Sequence, residues 1–452
     1  MAFSLILKNG NLIALCLPIS RKDYTKNLYN IRLMLNQKSI KAVNAAKFSS
    51  HFVKPLSESY CFANIPDTIK SLLLAPNQKP LPQDVLPKKS SRKVVFLFID
   101  SFGWEFWQKH HSKYPFLKRF LTQGVVSKLT SQFPSTTSAH VTTIHTGLPI
   151  GQSGLFEWFY YEPKVDAIIA PLLFSFAGKK ERDTLQLADI KPKEIYPKKT
   201  IYKDLAKHKV KSYIFQYKDY TPSAFSDVVF QGATQVFPYR SLAHGLTLMS
   251  QTILNSTGPA YYFYYYDAVD TSGHVEGPSS LVHQAEIHNL FTALEALFYQ
   301  SVKSEKNLTI LLSADHGMTK VSPDKTFYLN KKIKNIDQYL QTNRKKQLLV
   351  PAGSCRDMFV YSKEAALPIL KKILQQKLQG KAEIYEIRDL IEQGLFGQKV
   401  DKQLKDRLSN LVILPYAGQA VWWYEKDKFE QKYFGHHGGL TPEEMHIPFL
   451  AL

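Results

Sequence analysis

Lys93-Val94-Val95-Phe96-Leu97-Phe98-Ile99-Asp100-Ser101-Phe102-Gly103 is the stretch that decides the fold. An apolar run without polar alternation marks a strand covered on both faces, as in a parallel sheet. The run ends in a carboxylate. Open α/β sheets bind ligands beyond the carboxyl ends of their strands. Asp100 is therefore a candidate site residue, with helix capping as its alternative role.

Two more runs repeat the pattern. Tyr261 to Tyr266 is a second buried strand, leading into Asp267-Ala268-Val269-Asp270-Thr271-Ser272-Gly273-His274. Its aromatics are strong strand formers, which explains them better than base stacking does. Leu308 to Ser313 is a third, leading into Asp315-His316-Gly317-Met318. Further strands are expected near Val125–Leu129, Ser212–Gln216 and Ile447–Leu452. Helices are expected over 104–122, 201–207, 240–254 and 279–302. The fold class is α/β, a mostly parallel central sheet flanked by helices.

Between the first two strands lies Phe133-Pro134-Ser135-Thr136-Thr137-Ser138-Ala139-His140, running on to Thr146-Gly147. It reads as a hydroxyl-rich loop turning into a helix over Thr137–His145. The unpaired N–H groups of a helix start favour a bound phosphate. Simple N-capping is the alternative.

Three regions are expected: an α+β unit over 1–75, a Pro- and Lys-rich linker or strap over 76–92, and a catalytic domain over 93–452. The first opens with a hairpin, Phe3–Lys8 and Asn11–Cys16 around Asn9-Gly10. Insertions interrupt the third near 155–200 and 320–410. The second insertion carries expected helices over 364–379 and 384–392.

Lysine and arginine outnumber aspartate and glutamate 58 to 38, a formal net charge of +20. The basic residues are scattered, which suits a small anionic substrate and gives no reason to expect a nucleic-acid partner. No stretch approaches the roughly 20 apolar residues of a membrane span. Cys16, Cys61 and Cys355 are widely spaced and form no CxxC. A reducing, cytoplasmic location is expected. Oligomeric state and natural substrate have no sequence signature.

The chemistry lies in the sum of Asp100, Asp270, His274, Asp315, His316 and His437, the last in Gly435-His436-His437-Gly438-Gly439. Oxygen and imidazole donors suit zinc or manganese. Six of them with one hydroxyl make two sites of three or four ligands. Paired ions about 3.5–4 Å apart are a common means of phosphoryl transfer.

Ile99-Asp100, Phe133 to Thr137, Thr146-Gly147-Leu148-Pro149, Asp270 to His274, Ala314 to Met318 and His437-Gly438-Gly439 together resemble the type I phosphodiesterase/nucleotide pyrophosphatase family of the alkaline phosphatase superfamily. The resemblance covers about 93–320 and 410–452. It implies an alkaline-phosphatase-like core and two divalent ions, zinc or alternatively manganese. It implies Thr137 as nucleophile and a phosphothreonyl intermediate. One ion would lie on Asp100, Thr137, Asp315 and His316, and the other on Asp270, His274 and His437. The implied activity is hydrolysis of phosphodiesters or pyrophosphates. A phosphomonoesterase, phosphonate hydrolase or phosphotransferase on the same core is the alternative, and a non-catalytic phosphate-binding module is a third. Family members often carry an Asn three residues after the nucleophile, donating to a phosphoryl oxygen. Here that place is His140, which either makes that bond or faces the helix's buried side.

Other readings stay open at this point. Thr136 is the alternative to Thr137, His436 to His437, and Asp267 is a cap or a support for His274. His145, His283, His288 and His446 read as packing or surface histidines. Arg356 clamps an anionic substrate or pairs Asp357 at the surface.

Overall fold

The computed structural model describes residues 34–74, 79–87 and 91–452, and the backbone of 3–8 and 11–16. Strands β1 (Phe3–Lys8) and β2 (Asn11–Cys16) pair antiparallel, Lys8 opposite Asn11, as the hairpin reading expects.

A seven-stranded sheet organises the rest. In chain order its strands are β3 (Lys93–Ile99), β4 (Val125–Thr130), β5 (Lys211–Tyr217), β6 (Gln235–Tyr239), β7 (Ala260–Tyr266), β8 (Leu308–Ser313) and β9 (His446–Ala451). The spatial order is β4-β9-β8-β3-β7-β5-β6. β8, β3, β7, β5 and β6 run parallel, and β9 pairs antiparallel with both neighbours. Every residue of β7 and β8 is buried, as is β3 from Val94 onward, which is why none of them alternates in sequence. The fold is the expected α/β class.

The N-terminal segment packs on the β4 edge. Helices α1 (Gln37–Ala45) and α2 (Ile65–Leu73) contribute Val43, Ile65 and Ile69 to the same core as the sheet. Asn36 N donates to Val126 O at 2.8 Å. Farther along, Leu81 and Val85 are buried in that core.

Two expected helices differ. Residues 104–122 form two, Trp104–His110 and Pro115–Gln123, because Pro115 starts a new helix at its first turn. Residues 384–392 begin as a strand: Ala382–Glu386 pairs with Leu411–Pro415, and the helix covers only Ile387–Glu392. The first insertion is a small sheet, Tyr160–Glu162, Ala167–Ala170 and Ser175–Phe176.

Candidate active site

The three carboxylate-bearing strand ends belong to neighbouring strands, so the sheet itself brings them together. Asp100 follows β3, and its N–H donates to Tyr266 O at 2.9 Å. Helix α3 (Thr137–Thr146) and helix α4 (Ala268–Glu276) start at the same end of the sheet. Asp270 and His274 lie one turn apart on α4, with His274 Nε2 3.3 Å from Asp270 Oδ2. Asp315 and His316 follow β8. The loops after β3 and β8 touch: a Cβ on Gly103 would lie 2.5 Å from Gly317 Cα. Glycine at both places permits that approach.

Thr137 opens α3. Its Oγ1 is 3.4 and 3.3 Å from the two Asp100 oxygens and 3.2 Å from His316 Nε2. The glycine loop is fixed against the preceding residues. Ser135 Oγ donates to Gly439 O and accepts from Gly438 N, and Ser135 N donates to Gly438 O.

Each histidine of the cluster presents the same nitrogen to a carbonyl. His274 Nδ1 donates to Gly435 O at 2.7 Å, His316 Nδ1 to Gly317 O at 3.0 Å and His437 Nδ1 to Ser135 O at 2.9 Å. A carbonyl only accepts, so the proton is on Nδ1 and Nε2 faces the cluster. Metal-ligating histidines are typically oriented this way. Ligand atoms of Asp270, His274 and His437 lie within 4.8 Å of one another, as do those of Asp100, Asp270 and His316. Asp270 Oδ1 and Asp315 Oδ2 are buried and receive no hydrogen bond while the imidazole protons sit on Nδ1; they face His437 Nε2 at 3.7 Å and His316 Nε2 at 3.1 Å. Such oxygens are costly unless a cation meets them, so the donor set fits divalent ions.

Burial, reinforced by Asp315 and Asp270, drives the Asp100 carboxyl well above the carboxylate range. Burial pushes Asp315 the same way, but His316 outweighs it and holds it at about 2. Burial pushes His274 and His316 down, and Asp270 and Asp315 outweigh it and raise them. Burial, reinforced by His316, holds His437 at about 3, a neutral imidazole.

His140 is not brought to this cluster. It is fully buried, turned to the inner side of α3 against Phe62. Its Nδ1 donates to Thr136 O at 2.7 Å and its Nε2 accepts from Gln132 N at 3.1 Å. Neither nitrogen is left for a phosphoryl oxygen, which corrects its expected donor role. Arg356 corrects both of its readings: it is neither clamp nor surface residue. Its fully buried guanidinium is bidentate to Glu444, at 3.0 and 2.9 Å. Thr136 Oγ1 donates to Phe156 O at 3.0 Å, away from the cluster. His436 Nε2 accepts from Gln431 at 2.6 Å.

One contact escaped the sequence reading. Tyr265, second to last in β7, donates its hydroxyl to Asp100 Oδ2 in a short hydrogen bond. Its signal was position: it sits at the strand end where ligands gather, inside a run read as ordinary strand aromatics. Glu157 and Asp357 also escaped, a buried pair of carboxyls beside the same cavity, both raised by burial and Glu157 to about 8.

The family model of type I phosphodiesterases/nucleotide pyrophosphatases matches residues 94–440. The chain belongs to this family. It is a phosphoric ester hydrolase of the nucleotide pyrophosphatase/phosphodiesterase type. Comparison with curated proteins finds no match. Among solved structures it is similar to murine ectonucleotide pyrophosphatase/phosphodiesterase 5, an inactive variant in complex with AMP, at 19% identity and TM-score 0.59, covering 80% of this chain and 87% of that one. The human counterpart gives 18%, 0.56, 79% and 87%. At these identities the likeness supports the fold. No helix among the described residues is long and apolar enough to cross a membrane.

Proposed function

We propose that this chain cleaves phosphodiester or pyrophosphate bonds by in-line attack of Thr137 on phosphorus. The observation that carries the reading is one cluster of three imidazoles, each with Nδ1 on a carbonyl, and two buried carboxylate oxygens without a hydrogen-bond donor, which Thr137 Oγ1 meets through Asp100 and His316 Nε2. Asp100, Thr137, Asp315 and His316 would hold one ion and Asp270, His274 and His437 the other; ligand atoms of Asp270 lie within 4.8 Å of those of His274 and His437 and of those of Asp100 and His316. The nitrogen and oxygen donors suit zinc and accommodate manganese. When bound, such a pair supplies a lowered hydroxyl pKa and charge compensation at the leaving oxygen.

The chain's own residues set the geometry. Asp100 and His316 Nε2 are the acceptors within reach of the Thr137 hydroxyl proton. The Thr137 Oγ–phosphorus bond forms as the bond to the leaving oxygen breaks. Water then hydrolyses the threonine ester. The first turn of α3 supplies N–H groups to the phosphoryl oxygens, in place of the side chain that His140 does not offer. A cavity of ≈ 470 Å³ continues from Thr137 past the cluster. It has room for a second organic group, which favours a diester over a monoester. The free, buried thiols of Cys61 and Cys355 suit a reducing, cytoplasmic compartment.

The test is turnover of bis-p-nitrophenyl phosphate against p-nitrophenyl phosphate, before and after chelation and zinc or manganese restoration. Diester preference with loss and recovery is expected. Unchanged activity after thorough metal removal contradicts the reading, and a strong monoester preference replaces it with a phosphomonoesterase.

A further inference from the structure

Glu157 is the single charged residue of the segment Leu155-Phe156-Glu157-Trp158-Phe159-Tyr160-Tyr161. Its side chain is fully buried, yet it lines the cavity that contains Thr137. Two contacts place it in the nucleophile's corner. Thr136 Oγ1, one residue before Thr137, donates to the carbonyl of Phe156, one residue before Glu157. Asp357, whose carboxyl is hydrogen-bonded to that of Glu157, lies against the loop that carries His437. A Cβ on Gly438 would meet Asp357 Oδ1 at 2.7 Å, so only glycine lets the loop pass there.

One oxygen of each carboxyl is occupied. Glu157 Oε2 accepts from Trp158 N, and Asp357 Oδ1 accepts from Ser354 N at 3.1 Å and from the Ser354 hydroxyl. The other oxygens, Glu157 Oε1 and Asp357 Oδ2, are buried and receive no N–H or O–H from another residue. Carboxylates are acceptors only, so a hydrogen bond between the two groups requires a proton. The N–H donors mark Oε2 and Oδ1 as the accepting oxygens, which leaves Oε1 and Oδ2 to carry hydrogen. Burial favours the neutral acid in both. One O–H then joins the pair, and the other is free. Of the two residues, Glu157 is the one that lines the cavity. Ser138 Oγ, buried and without a partner, lines it too. Buried polar atoms left over in this way need a ligand to complete them.

We propose that Glu157 works as a carboxylic acid and donates its Oε1–H to a non-bridging oxygen of the phosphoryl group that Thr137 attacks. Asp357 holds it in that form, because a second acid in contact opposes charge on the first, and an anionic phosphoryl oxygen opposes it further. The proton stays on Glu157 throughout. A donor fixed before the substrate arrives stabilises charge on the phosphoryl oxygens in the transition state. It is a side-chain donor of the kind that His140, turned inward, does not offer. This inference rests on the hydrolase reading above.

Glu157→Gln keeps an N–H in place of the O–H, and Glu157→Ala removes the donor. Both are compared with the wild type on bis-p-nitrophenyl phosphate, with bound metal and denaturant midpoint measured on the same samples. Glu157→Ala is expected to lower kcat about 100-fold and Glu157→Gln no more than about fivefold, the first being the usual effect of losing one such donor. Wild-type kcat in Glu157→Ala, or a Glu157→Gln as slow as Glu157→Ala, overturns the inference. So does an extra equivalent of metal on the wild type that Glu157→Gln loses, which makes the pair a cation site instead. Calorimetry of inorganic phosphate on metal-loaded Thr137→Ala protein gives a readout without turnover. Adding Glu157→Ala is expected to weaken phosphate about tenfold or more, the scale of a hydrogen bond to a charged group. Equal phosphate affinity with and without Glu157 overturns the inference. Absence of turnover on every ester by metal-loaded wild-type protein defeats the hydrolase reading, and the phosphate titration then decides the role of Glu157 by itself.

Discussion

His437 Nδ1 donates to the backbone carbonyl of Ser135 at 2.9 Å, joining residues 302 positions apart. The Ser135 hydroxyl completes the junction by bridging Gly438 N and Gly439 O. The loop that carries a candidate ligand is thus held by the loop that carries the candidate nucleophile. Ser135→Ala removes the hydroxyl bridge and leaves the His437 carbonyl contact. Zinc affinity, measured by chelator competition, is expected to fall about 10–100-fold, the usual effect of losing a contact that orients a ligand. An unchanged affinity would make the junction irrelevant to the metal.

Tyr265 acts on Asp100 in the same way. Its phenol occupies Oδ2 and leaves Oδ1 toward His316, 3.5 Å away. Tyr265→Phe keeps the ring packing and removes the donor. Metal affinity is expected to drop about 10–100-fold, with kcat falling more than KM rises. Wild-type metal affinity in this variant would reduce Tyr265 to a packing residue.

The sequence made the scaffold legible because burial leaves a mark on it. Lys93–Ile99, Tyr261–Tyr266 and Leu308–Ser313 are apolar throughout because both sheet faces are covered, and each is a strand of the central sheet. Strand ends carrying Asp100, Asp270 and Asp315 then follow from parallel order. Contacts between distant segments leave no such mark. Nothing local in Arg356 announces Glu444, and nothing in Tyr265 announces Asp100. His140 is ambiguous in the sequence because a helix offers two faces; the packing of Phe62 and the bonds to Thr136 O and from Gln132 N, which hold its ring inward, come from the fold.

Arg356 and Glu444 form a fully buried pair, and the same carboxylate accepts from Gly439 N and the Thr441 hydroxyl. Arg356→Ala leaves that carboxylate buried without its cation. Denaturant unfolding is expected to show a loss of about 3–5 kcal/mol. A change below about 1 kcal/mol would contradict the buried-pair account.

Burial holds His140 neutral down to about pH 4 and His145 to about pH 3. An unfolded histidine takes up its proton near pH 6.5. The unfolded chain therefore binds more protons as pH falls, and stability drops from about pH 6.5 until the folded-state values are passed. At pH 5 each such histidine costs about 2 kcal/mol relative to neutral pH. His145→Asn keeps a partner for the Tyr202 hydroxyl, which lies 2.7 Å from His145 Nδ1, and cannot protonate. Its denaturant midpoint is expected to vary less between pH 7 and pH 5 than that of the wild type. Equal pH dependence in both proteins would contradict the assignment.

The central claim is that Thr137 is the nucleophile of a metal-held site. The most direct measurement is the turnover of bis-p-nitrophenyl phosphate by Thr137→Ala, with bound zinc quantified in the same sample. The account predicts that turnover falls by several orders of magnitude while metal remains bound. Wild-type turnover by the metal-loaded variant would contradict it.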